Sequence, residues 1–159
     1  MGQEKTNAIR MLDAKKINYE THVYEAPNGF LDGVSVAKAT GMDVARVFKT
    51  LVAQGASKEH YVFVIPVAKE LDLKKAAKYF KEKKVEMIPA KDITKVTGYI
   101  KGGCSPIGMK KLFKTAIDKS AGNYETIVVS GGKVGLQIDL SVGDLMAFIR
   151  GELTELTTG

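Results

Sequence analysis

The run Tyr61-Val62-Phe63-Val64-Ile65-Pro66-Val67-Ala68 constrains this chain more than any other feature. β-Branched and aromatic residues at consecutive positions fit a buried strand, and Pro66 falls near its end. The run is far shorter than the roughly 20 residues needed to cross a bilayer, so its burial requires a protein core. The segment 47–53 reads as another strand. With period two, Val47, Lys49, Leu51 and Ala53 share one face, and Phe48, Thr50 and Val52 the other. Both faces are apolar, so this strand is expected to be covered on both sides, with Lys49 as the exception. Burying an ammonium without a partner costs several kcal/mol. Lys49 is therefore expected to pair with an acid, to line a cleft, or to snorkel from an edge strand into water.

Helix and turn signals surround these strands. Thr6 or Asn7 can cap a first helix to residue 16, with Ile9, Met11 and Leu12 facing inward. Residues 17–24 alternate like a strand, and Ala26-Pro27-Asn28-Gly29 signals a turn. Ser35 opens a short helix that Gly41 closes, and Asp43 caps a further turn. Leu73, Ala76, Ala77 and Phe80 carry helical spacing behind Asp72, with Lys74, Lys75 and Lys78 on the outer side. Residues 84–88 read as a short strand. Ser105-Pro106 predicts a helix start, because the hydroxyl caps and proline suits the first helical position. Residues 125–130 and 134–139 form a hairpin through Gly131-Gly132-Lys133, and Ser141 with Asp144 opens a last helix that Gly151 ends. Strands outnumber βαβ units. The expected fold is a mixed α/β (α+β) single domain over residues 1–159, with a mostly antiparallel, barrel-like sheet and peripheral helices.

Charge narrows the partners. The chain has 159 residues and a net charge of +6, and the excess is local. Residues 69–119 hold 14 lysines and 6 acids, a balance of +8, against −2 elsewhere. Arginine occurs only as Arg10, Arg46 and Arg150. Lysine lacks the planar fork that reads base edges, so a lysine-rich sector suits phosphate backbones, or simply a solvated face. The single cysteine, Cys104, excludes an intramolecular disulfide and a multi-thiolate metal site. No metal or cofactor is expected, and a reducing, cytoplasmic setting fits.

Three places could carry chemistry. Lys49 is the first. The second is Gly102-Gly103-Cys104-Ser105-Pro106, where glycines allow close backbone approach and free N–H groups suit a phosphate, a carboxylate or an oxyanion. The loop lacks Walker spacing and also reads as a plain tight turn. Ser130-Gly131-Gly132 is the third, at a strand end. Cys104 as a nucleophile would need His22 or His60 as its base, and otherwise fills space. No GxSxG elbow or HExxH pair occurs.

The segments Phe48-Lys49-Thr50-Leu51-Val52, Leu73-Lys74-Lys75-Ala76-Ala77 and Lys84-Val85-Glu86-Met87 are similar to the YbaK/EbsC family. So are Thr97-Gly98-Tyr99-Ile100-Lys101-Gly102-Gly103-Cys104-Ser105-Pro106-Ile107-Gly108 and the segment from Glu125 to Lys133. These free-standing aminoacyl-tRNA deacylases are related to the editing insertion of bacterial prolyl-tRNA synthetase. The resemblance implies hydrolysis of the ester joining a wrong amino acid to the tRNA 3′ end, commonly cysteine on tRNA for proline. It implies no protein nucleophile, because in the cysteine-specific branch the substrate's own thiol attacks the carbonyl. Lys49 matches the family's required lysine, and Gly102 to Pro106 its substrate-binding GxxxP loop. Tyr24, Phe30 and Ser130, with Gly131 beside it, fall among its pocket residues. Lys49, Gly102 and Gly103 are thus the expected catalytic groups; Tyr24, Phe30, Cys104, Ser105, Pro106, Ser130 and Gly131 are expected to bind substrate. Some relatives carry an acid where this chain has Gln137. The expected partners are the acceptor end of aminoacyl-tRNA and prolyl-tRNA synthetase, with neither membrane nor DNA. The alternatives are a module that binds tRNA or the synthetase without hydrolysis, a deacylase for another small amino acid such as alanine, and a hydrolase using Cys104.

Overall fold

The computed structural model describes residues 5–25 and 32–158. Strand β3 (His60–Pro66) is buried at every position after His60, as its unbroken apolar run requires. It pairs antiparallel with β2 (Phe48–Gly55) and parallel with β5 (Lys114–Asp118). The short strands β4 (Val85–Met87) and β8 (Glu152–Thr154) extend this sheet at either edge, in the order β4-β2-β3-β5-β8. A second, antiparallel sheet has the order β1-β7-β6, from β1 (Tyr19–Val23), β7 (Leu136–Ser141) and β6 (Thr126–Ser130). The two sheets join at a parallel bridge between Val47 and Val128. Among the described residues they do not close into a barrel; the mixed, mainly antiparallel α/β architecture is otherwise as expected.

Both faces of the five-stranded sheet are covered, which is why its central strands show no polar face. Tyr61, Phe63 and Ile65 pack with Ala76 and Ala77 of α3 (Leu73–Tyr79), and Phe80 stacks on Tyr61 at 4.3 Å. On the other face Phe48, Val64 and Ile117 meet Ile127, Val129, Ile138 and Leu140 of the second sheet. Leu12 of α1 (Asn7–Ala14) and Leu145 of α5 (Val142–Ile149) close that core. Each such side chain contributes about 1.5–3 kcal/mol by leaving water. Asp72 caps α3, Thr6 caps α1 and Ser141 caps α5, each accepting a backbone N–H of the first turn. Helix α2 (Gly33–Thr40) starts one turn earlier than its sequence suggested: Asp32 is the cap and accepts from Ser35 N–H, and Gly41 ends the helix at φ +70°. Arg150 rather than Gly151 takes the left-handed position after α5.

Four expectations need correction or fall outside the description. Met11 lies on the outer side of α1 and is 37% exposed. No helix starts at Ser105-Pro106. Ser105 Oγ accepts from Ile107 N–H at 3.2 Å, and the carbonyls of Ile107 and Gly108 are taken by the Tyr99 hydroxyl and the Asn7 amide, at 2.6 and 2.7 Å. Gly108 then turns the chain at φ +83°. With its acceptors held by distant groups, the segment stays irregular. The helix-terminus field expected there is therefore missing. The short helix α4 (Ile93–Thr97), β5 and β8 were not signalled by the sequence. Phe30 and the turn expected at Ala26-Pro27-Asn28-Gly29 lie outside the described residues.

Candidate active site

The site begins with a gap in a ladder. Strand β2 pairs with β4 only through Ala53, Gln54 and Gly55, and the Val52 carbonyl accepts from Ile88 N–H at 3.2 Å. At its other end β2 meets β6 at the Val47–Val128 bridge. Between these points its outer edge has no strand neighbour among the described residues. Alternate residues of a strand send their N–H and C=O to the same side. Because Val52 turns its carbonyl to this edge, Thr50 presents its amide N–H and carbonyl there as well.

A cavity of about 570 Å³ fills the gap. Phe48, Lys49, Thr50 and Leu51 form one wall, α2 contributes Gly33, Val34 and Val36, and Met87, Ile88, Ala90 and Ile93 form another. Lys101, Gly102 and Cys104 approach from the GxxxP loop, and Tyr24, Ser130, Leu136 and Gln137 from the second sheet. Lys49 is half-buried and lines the cavity, and its side chain has no hydrogen bond or ion pair to another described residue. Of the placements open to it, the cleft is the one realised. Thr50 Oγ1 and Gln137 Oε1 are buried acceptors without partners, and Gln137 is only 6% exposed. Buried polar atoms are nearly always satisfied, and both of these belong to residues that line the cavity. Asp32 is the sole carboxylate on the cavity wall among the described residues. Ser35 donates to it from both amide and hydroxyl at 2.9 Å, and these bonds hold its carboxyl below the ordinary range.

The two loop glycines have different jobs. Gly102 adopts φ +85°, which an L side chain rarely takes, and its N–H is unengaged among the described residues. Gly103 donates its N–H to Ile100 O at 3.0 Å, closing the turn. A Cβ on Gly103 would lie 2.8 Å from Lys133 Cα and 2.9 Å from Val134 N, so the bare backbone is needed to pass the β6–β7 hairpin. Gly103 was expected among the catalytic groups, and its amide is engaged within the turn. Neither Gly103, Ser105, Pro106 nor Gly131 lines the cavity; they fix the loop and hairpin. Thr6 ties that hairpin to α1 by donating to Gly131 O at 2.5 Å. Ser130 lines the cavity while its Oγ accepts from Gly132 N–H at 3.2 Å.

Cys104 is not poised as a nucleophile. Cys104 is 9% exposed, and burial pushes its thiol up to about 11, against a weaker opposing contact from Thr97. At neutral pH it is protonated and behaves as packing. Across the β1–β7 pair from Gln137 stands His22, whose Nε2 lies 3.9 Å from Asp139. Glu20, His22 and Asp139 bring ligand-type atoms within 4.8 Å, but Arg46 already holds Asp139 through two 3.2 Å contacts. Sequence reasoning missed Asp32, Thr50 and Lys101 as cavity residues. Among these only Thr50, beside Lys49 on a buried strand, carried a signal.

Residues 32–148 match the aminoacyl-tRNA editing domain. A protein of Enterococcus faecalis named for deacylation of Cys-tRNA(Pro) and Cys-tRNA(Cys), EbsC, is 46% identical over 98% of this chain and 95% of its own length. Two solved structures share the fold at 20% identity. One, described as a trans-editing enzyme for prolyl tRNA synthetase, has a TM-score of 0.81 and covers 99% of this chain and 100% of its own. The other, from epitope grafting onto scaffold proteins, has a TM-score of 0.85 with 96% of each chain covered. The cavity, its unpaired lysine and the glycine loop thus sit in a chain that belongs to the aminoacyl-tRNA editing domain family.

Proposed function

We propose that this protein removes cysteine from mischarged tRNA for proline, acting in trans on the ester at the tRNA 3′ end. Deacylation of mischarged aminoacyl-tRNA is the activity of its family and of this chain; the amino acid, the residues and their roles are our reading. The observation that carries it is the half-buried, unpaired Lys49 on a cavity wall that also holds unpartnered acceptors and free amides. An ester needs its carbonyl polarised and its alcohol held. Lys49 supplies charge to the carbonyl oxygen or the terminal ribose, and the N–H groups of Gly102 and Thr50 supply oxyanion donors. Gln137 Oε1 accepts from the substrate ammonium, which the Asp32 carboxylate also favours.

With Cys104 protonated, the attacking group comes from outside the protein. In our reading the cysteine thiol of the substrate adds to its own carbonyl carbon. The bond to the ribose oxygen breaks, the thiol proton passes to that oxygen, and a cyclic thioester leaves. The GxxxP loop and the hairpin hold the reacting group, while Tyr24 and Ser130 bound its pocket. A cavity of about 570 Å³ has room for an aminoacyl group and its adenosine. Selectivity for tRNA(Pro) comes from transient association with prolyl-tRNA synthetase in the cytoplasm, a reading supported by the trans-editing neighbour. Purified protein mixed separately with Cys-, Ala- and Ser-tRNA tests the proposal. Cysteine release well above buffer is expected. Acceleration for none of the three overturns it in favour of a binding module, and a preference for Ala-tRNA overturns the choice of amino acid.

A further inference from the structure

The lysine-rich sector has two parts that differ in how many acids stand among their lysines. Residues 69–87 carry seven lysines, but Glu70, Asp72, Glu82 and Glu86 stand among them. Lys84 pairs with Glu86 at 2.5 Å, and Lys75 reaches Glu155 at 3.3 Å. Residues 88–113 hold Lys91, Lys95, Lys101, Lys110 and Lys111 against a single acid, Asp92. All five are exposed, and Lys91, Lys95, Lys110 and Lys111 form no ion pair with an acid among the described residues.

Parts of this second group are tied together, and the stretch reaches the cavity wall. The ammonium of Lys110 donates to Lys95 O at 3.0 Å, and its amide to Thr97 O at 3.0 Å, so residues 108–112 lie across the end of α4. Ala90 and Ile93, flanking Lys91, and Lys101 itself line the cavity. Ile100 and Leu112 are 54% and 55% exposed within the same stretch, offering apolar contact among the cations. Lysine gives charge without base readout, and Arg46 is committed to Asp139. Such a rim suits a phosphate backbone whose sequence goes unread.

We infer that the turn Ala90–Asp92, α4 and residues 99–112 form the surface on which the tRNA acceptor stem lies while its 3′ end occupies the cavity. The inference rests on the deacylase reading and assigns its docking face. Lys91, Lys95 and Lys110 contact phosphates, and the α3 lysines do not.

Binding of an uncharged acceptor-stem minihelix ending in CCA, followed by fluorescence anisotropy across salt, is the test. Each lysine–phosphate contact contributes about 0.7–0.9 to the slope of log affinity against log salt. The triple variant Lys91→Glu, Lys95→Glu, Lys110→Glu should flatten the slope by about 2 and weaken binding at least about tenfold. The variant Lys74→Glu, Lys78→Glu, Lys81→Glu changes net charge equally and should keep the parental slope. The neutral set Lys91→Gln, Lys95→Gln, Lys110→Gln should flatten the slope without reversed charge near α4. A parental slope in both rim variants, or an equal loss in the α3 variant, overturns the docking face. Absence of ester hydrolysis by the parent overturns the deacylase reading alone, because minihelix binding is read without turnover.

Discussion

Replacing Lys49 with methionine removes one charge and keeps most of the apolar stem. The Lys49 side chain has no hydrogen bond or ion pair to another described residue, so the fold loses little. The expected change in stability is within about 1 kcal/mol. Catalysis should lose much more. A unit charge about 4 Å from a full oxyanion gains about 4 kcal/mol at an effective dielectric near 20. The carbonyl oxygen carries only part of a charge at the transition state, and deleting one oxyanion donor in other enzymes costs about 10²–10³ in rate. The same range is expected for Lys49→Met, read as single-turnover release of labelled cysteine from Cys-tRNA at neutral pH. The loss should fall on the rate constant more than on the half-saturating concentration, since the charge acts on the transition state. Lys49→Arg keeps the charge in a different shape and should recover part of the rate. A Lys49→Met protein whose rate constant stays within about threefold of the parent refutes the assignment.

Three further outcomes follow from the same geometry. Cys104→Ala should retain deacylation, and iodoacetamide should modify the parent slowly at neutral pH, faster as pH climbs toward the thiol's value of about 11; an inactive Cys104→Ala protein points to a thiol mechanism, whereas alkylation of this cavity-lining thiol can block the site by bulk alone. Gln137→Leu removes an unpartnered buried acceptor, so the protein should be as stable or up to about 1–3 kcal/mol more stable while binding Cys-tRNA less well; thermal melts and half-saturation measured together check the opposed signs. Gly103→Ala sets a methyl against the backbone of Lys133 and Val134 and should destabilise by about 1–3 kcal/mol, lowering the melting temperature by about 2–4 °C per kcal/mol.

What could be read in the sequence was what local pattern decides. The buried strands β2 and β3 follow from their apolar runs, and Thr6, Asp72 and Ser141 mark helix starts by chemistry confined to one turn. α4 escaped notice because Ile93, Thr94, Val96 and Thr97 are β-branched and disfavour helix. Packing of Ile93 and Val96 against Tyr99 and Phe113, with the Thr97 hydroxyl bonded to Ile93 O, holds it anyway. β5 was invisible because Thr115, Ala116 and Ile117 are too few to show a period; parallel pairing with β3 and β8 makes the strand. Ser105-Pro106 misled for the opposite reason, a strong local signal overridden by Tyr99 and Asn7 reaching in from elsewhere. Lys49 and Gly102 stood out as exceptions to their surroundings. Asp32 and Gln137 did not, since nothing local says that a cavity will open beside them.

The missing rungs between β4 and β6 leave two kinds of parts in the chamber. In the proposed mechanism, the groups that polarise the ester belong to main chain and to one lysine anchored on a central sheet. The surfaces that would gauge the size of the acyl group in that mechanism, Val34 and Val36 on one wall and Met87 and Ile88 on another, are ordinary apolar side chains on separate segments. Trading one of these for a larger or smaller neighbour resizes the room without disturbing the machinery. A lineage built on this plan can therefore change which error it corrects by a few conservative exchanges, and keep its chemistry throughout.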